Sequence, residues 1–184
     1  MKPRLLPIER PSLNEIEGKM RWLTLLLLAV GLHIFEAGLP SLGPWFKPGL
    51  ANLITLLALA MLGPRAAISL AVGRVIVGSF FIGTLFTPTF VISLTAGVVS
   101  ALVMVASYRL IPRISLVGVS LLGALAHMVA QFMTVETLFI QQPALYYLLP
   151  SFLLLSAVTG WINGALAGYI VARFNHERRN QKRK

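Results

Sequence analysis

Residues 22–39 read WLTLLLLAVGLHIFEAGL, an unbroken run of 18 residues whose polar members are Thr24, His33 and Glu36. A helix of this length rises about 27 Å, close to the roughly 30 Å hydrocarbon thickness of a bilayer. The run is too long for the apolar core of a cleavable signal peptide, and no small-x-small site follows it, so it is expected to stay as a first anchor. Working outward, five more apolar runs follow at approximately 48–63, 66–86, 89–111, 115–140 and 148–172. Pro64, Pro88 and Pro112 mark boundaries between runs, where helices start or stop. The expected fold is an all-α polytopic membrane protein, a six-transmembrane-helix bundle over 22–172, with basic tails at 1–21 and 173–184.

Composition agrees with that reading. Of 184 residues, 57% are hydrophobic and 12% charged, with a mean hydropathy of +0.80, which is far from the make-up of a water-soluble domain. The chain has no cysteine, so disulfides, thiolate metal sites and cysteine nucleophiles are excluded. All six acidic residues are glutamates: Glu9, Glu15, Glu17, Glu36, Glu136 and Glu177. Chemistry that depends on aspartate is therefore excluded as well.

The net charge of +10 points to nucleic acid only if it covers a soluble face, and its placement argues otherwise. Fourteen of the 16 basic residues fall in the tails and in alternate connections: Lys2, Arg4, Arg10, Lys19 and Arg21, then Arg65, then Arg109 and Arg113, then Arg173, Arg178, Arg179, Lys182, Arg183 and Lys184. The other connections hold Lys47 alone, and Arg74 lies inside a span. By the positive-inside rule both termini are expected in the cytoplasm, and the tails in contact with anionic lipid head groups. No nucleic-acid partner is expected.

The stretch Pro40-Ser41-Leu42-Gly43-Pro44-Trp45-Phe46-Lys47-Pro48-Gly49 reads as an ordered cap at the outer interface. The second run, 48–63, rises only about 24 Å, short of the hydrocarbon thickness. It is expected to begin inside the protein, where neighbouring elements must satisfy its first amides, and such a recess is a place for a ligand. In the last run Gly160, Gly164 and Gly168 recur every four residues and define a close-packing face, for another helix of the bundle or for a partner subunit.

Polar residues inside the runs carry the functional reading: His33, Glu36, Asn52, Arg74, His127, Gln131, Glu136 and Asn163. A charge at mid-bilayer costs on the order of 3 kcal/mol on insertion scales, so Arg74 is expected to face the bundle interior with Glu36 as its counter-charge. His33 with Glu36, and His127 with Gln131, are spaced to share a helix face. Either these groups satisfy one another as an internal network, or Glu36, Asn52, Arg74, His127 and Gln131 line a substrate site open to the outside. Arg74 and Lys47 hint at an anionic substrate. The two histidines have no His-x-His spacing and only one well-placed glutamate, so no metal and no cofactor is expected.

The order Glu36-x-x-x-Pro40, Lys47-Pro48-Gly49-Leu50-Ala51-Asn52, Arg74 with Gly78, Ser93-Leu94 with Gly97 and Ser100, Gly118-x-Ser120-x-x-Gly123 and His127-x-x-x-Gln131 resembles the Gx transporter family, also called heptaprenyl diphosphate synthase component I. The resemblance covers roughly residues 33–168. That family is in turn similar to the substrate-binding S components of energy-coupling-factor transporters, six-helix bundles with a pocket near the outer face. The resemblance implies a multi-pass protein of the bacterial cytoplasmic (inner) membrane. In two places the chain departs from the pattern: Met128 follows His127 where a polar residue is expected, and Ala29 is followed by His33 where S components carry Ala-x-x-x-Ala.

Prenyl chain elongation holds a diphosphate through magnesium on aspartate-rich motifs, and this chain has no aspartate. Two functions are therefore expected to compete. One is a small-molecule transport or substrate-binding component, and the other is a non-catalytic membrane subunit of a heptaprenyl diphosphate synthase or related isoprenoid or quinone pathway enzyme. A membrane or soluble partner subunit fits either.

Overall fold

The computed structural model describes residues 13–38 and 49–181. They form six α-helices: α1 (Leu13–Gly38), α2 (Ala51–Leu62), α3 (Pro64–Ile82), α4 (Pro88–Leu110), α5 (Leu116–Val135) and α6 (Leu149–Gln181). A π-helical turn, Glu136–Ile140, extends α5, and a 3-10 segment, Pro143–Tyr147, leads into α6. No strand occurs among the described residues. Five helices are long and apolar enough to cross a membrane, and α2 is the short one. The protein is an all-α membrane bundle.

Special backbone positions set the connections. Gly63 alone separates α2 from α3, and its φ of +96° is a conformation that a side chain would strain. Its N–H closes α2 on the Ala58 carbonyl at 3.0 Å, and Pro64 then opens α3 at a position that needs no amide donor. At the other end of α3, Gly83 in the left-handed region (φ +76°) ends the helix. Thr87 precedes Pro88, the first residue of α4. Ser115 caps α5 by accepting from the Gly118 N–H at 3.1 Å.

Side-chain contacts fix the helix directions. Trp22 Nε1 donates to the Ala66 carbonyl at 3.3 Å and Ser69 Oγ at 3.1 Å, Leu26 packs on Gly73 and His33 on Gly78, so α1 and α3 run parallel. Antiparallel α4 and α5 are joined by Ser100 Oγ, which donates to the Gly123 carbonyl at 2.8 Å, and by the Thr95 and Thr134 hydroxyls at 2.9 Å. Ser156 Oγ donates to the Ala124 carbonyl at 2.7 Å and ties α6 antiparallel to α5. The start of α1 and the end of α6 consequently lie at one end of the bundle, together with Arg65, Arg109 and Arg113. Leu56, Leu59, Leu70, Met104 and Val119 fill the interior. Leu27, Phe80, Phe81, Leu154 and Trp161 are exposed, as expected where lipid tails are the solvent.

The outer helices outrun their apolar segments. α1 begins nine residues before Trp22 and α6 continues past 172 to Gln181. Hydropathy marks the thickness of hydrocarbon, whereas a helix ends only where its backbone bonding stops. The exposed i,i+4 pairs Arg21–Glu17 (3.2 Å) and Arg173–Glu177 (3.4 Å) lie in these extensions. Of the segment 40–49 only Gly49 lies within the described residues, so the expected outer cap falls outside them.

Candidate functional site: a charged cluster at the head of α2

α2 has 12 residues and a length of about 18 Å, and it begins inside the bundle as its short apolar run implies. Gly49 (φ +72°), just ahead of it, offers its carbonyl to Asn163 Nδ2 at 3.1 Å. Asn163 lies about 21 Å along α6 from Leu149, well within the apolar stretch Leu149–Phe174. Backbone that enters a helix this far along a spanning segment is shielded from the hydrocarbon only by protein, so its first amides are expected to find protein acceptors. The Asn52 and Leu53 N–H groups turn back to the Gly49 and Leu50 carbonyls at 2.9 and 3.0 Å. Leu50 itself donates its N–H to Glu36 Oε1, from the last turn of α1. A carboxylate from a separate helix thus caps α2 and faces the positive end of its dipole.

Arg74, on α3, is only 3% exposed. Its Nη2 donates to Asn52 Oδ1 at 2.6 Å, which brings the guanidinium to the first turn of α2. Glu36 acts on Arg74 electrostatically, while the direct hydrogen bond goes to Asn52. Gly97 of α4 lies beside the guanidinium: a Cβ there would stand in ordinary contact, 3.8 Å from Arg74 Nη2. Among the described residues, Arg74 Nε and Asn163 Oδ1 are buried with no hydrogen-bond partner. One is a donor and the other an acceptor, both beside the head of α2.

Of the residues expected at the site, Glu36, Asn52 and Arg74 are thus brought together. His127 and Gln131 stand one turn apart on α5, Gln131 buried and His127 half-buried. α5 packs chiefly on α4 and α6 and also touches α2. His33 is buried against Gly78, where a Cβ would lie 2.5 Å from its Cδ2. Sequence reasoning noted Asn163 as a polar residue in a span but left it out of the site. The available signal was its position between Gly160 and Gly164 on a packed helix. The described residues contain no group of three metal-ligating side chains.

Gly160 and Gly164 face α5 at backbone distance. A Cβ at Gly160 would lie 2.7 Å from Ala124 Cβ, and one at Gly164 2.6 Å from Val117 Cα. At Gly168 a Cβ would meet nothing within 4 Å, so among the described residues this contact stops at Gly164. The three glycines share spacing but not surroundings.

These features define a polytopic α-helical membrane protein with a charged cluster buried at the head of a half-length helix. Residues 25–170 match the family described as heptaprenyl diphosphate synthase component I, and the chain belongs to that family. Comparison with curated proteins and with solved structures returned no significant match.

Proposed function

We propose that this protein is a membrane component that binds a small molecule at the head of α2, for transport or for delivery to a partner, through Glu36, Asn52 and Arg74, with His127 and Gln131 on the neighbouring wall. The observation that carries this reading is the buried Arg74 Nε, a donor without a partner among the described residues, beside the left-handed backbone at Gly49 that opens α2. Ionisable residues inside membrane spans and interrupted helices mark ligand paths, because each is costly unless it does something a closed apolar bundle cannot. The charge asymmetry of the chain orients the ends of α1 and α3 outward, so the cluster is approached from outside the cell.

A second reading draws on the family description. A non-catalytic membrane subunit of a heptaprenyl diphosphate synthase needs no aspartate and would offer its basic end to a soluble partner. Native mass spectrometry of gently purified protein separates the two. A small molecule retained by the wild type and absent from Arg74→Gln supports the binding reading. A bound soluble chain with no small molecule supports the second.

A further inference from the structure

We infer that the molecule taken at the head of α2 is an anion, presenting a carboxylate or a phosphate-type oxyanion, and that it replaces Glu36 there while one proton enters with it. This inference rests on the binding reading above and gives its substrate class. Glu36 already shows what the place accepts: a carboxylate oxygen receives the Leu50 N–H at the positive end of α2 and sits in the field of Arg74. Asn52 takes one guanidinium nitrogen, and the 97% buried Arg74 keeps Nε for a further acceptor. The unmet Arg74 Nε calls for an acceptor oxygen. Asn163 Oδ1, with no partner among the described residues, calls for a hydroxyl or other donor on the same molecule.

Charge counting brings in the proton. At rest one guanidinium faces one carboxylate. A second anion at the same place leaves two negative charges against one positive charge in a poorly screened interior, an arrangement in which one carboxylate gives way. Protonation of Glu36 from solvent restores neutrality, weakens its hold on the Leu50 N–H and leaves Arg74 to the ligand. The other titratable groups near Glu36 are few. α1 carries His33 one turn earlier, α3 carries Arg74 and, at its far end, Arg65, and α2 has none. α5 adds His127, and the described part of α6 near the cluster offers Asn163, which does not titrate.

The test uses two anions that stay ionised across the range, methanesulfonate and trifluoroacetate, so that any pH dependence belongs to the protein. Melting of the detergent-purified full chain is followed against each anion at about pH 5.5 and about pH 7.5, with sodium chloride at matched ionic strength as the control. The wild type is expected to be stabilised at roughly tenfold or more lower anion concentration at the acid pH. Glu36→Gln is expected to respond equally at both, His33→Gln to keep the pH dependence, and Arg74→Gln not to respond. Equal wild-type responses at the two pH values overturn the inference, as does no response to either anion, or loss of pH dependence in His33→Gln but not in Glu36→Gln. If Glu36→Gln does not fold, the wild-type comparison decides. A neutral or cationic molecule in the native mass spectra overturns this inference and leaves the binding reading standing, whereas failure to retain any molecule removes both.

Discussion

Glu36, two residues from the end of α1, accepts the backbone N–H of Leu50, so a side chain of the first span holds the head of the second. The same carboxylate supplies the charge that opposes Arg74. Two costs of burying polar groups in a membrane are met by one residue.

Substitutions at Glu36 should therefore rank by what they keep. Glu36→Gln retains an acceptor for Leu50 but leaves Arg74 without its counter-charge, and Glu36→Ala loses both. Loss of the counter-charge is common to both, and a Leu50 N–H left without its acceptor costs about 1–3 kcal/mol more, so Glu36→Ala is expected to melt below Glu36→Gln, and both below the wild type. A melting curve for Glu36→Ala that overlays the wild type would contradict this role.

On α6 two glycines of one sequence pattern should behave differently. Gly164→Leu forces a side chain against the Val117 backbone, where nothing flexible can give way, and is expected to lower stability and expression sharply. Gly168→Leu meets open space and should be close to silent. Equal effects of the two would show that the α5 contact does not decide the stability of this helix.

Asn163→Leu removes the donor that holds the Gly49 carbonyl at the head of α2. The Gly49 carbonyl keeps the Asn52 N–H, so the loss is that of one hydrogen bond, about 0.5–1.5 kcal/mol. Melting temperature should fall accordingly, and amide exchange should rise in the first turn of α2 rather than along α6. Unchanged exchange at Leu50–Leu53 would remove Asn163 from the site.

The number of helices and the truncated second one were legible from hydropathy and proline placement, because both reflect the thickness of hydrocarbon. That Arg74 must face inward followed from its cost. Its direct partner did not: Glu36 and Asn52 were both polar and suitably placed, and the choice of Asn52 depends on how α2 packs beside α3, which no pattern encodes. Asn163 escaped because its partner, the Gly49 carbonyl, is 114 residues away and is a backbone atom. Gly73 and Gly78, five apart and so not on one helical face, nevertheless both receive α1 side chains, Leu26 and His33. Spacing along one helix does not report how a neighbour fills it.

Orientation in the cell rests on the basic residues. Reporter fusions should give activity of a cytoplasmic reporter after Lys184 and of an external reporter at Gln142. The reverse pattern would turn the bundle over and put the cluster on the cytoplasmic side.

The most direct test of the account is a double-mutant cycle on Glu36 and Arg74, with each variant followed by melting temperature and by the small molecule it retains in native mass spectra. Glu36→Gln combined with Arg74→Gln removes both buried charges together, so stability is expected to recover relative to Arg74→Gln alone. Retention should stay lost, because the donor that holds the ligand is gone. A double variant that recovers stability and still carries the wild-type molecule would mean that the pair only holds helices together, and would contradict a binding site at the head of α2.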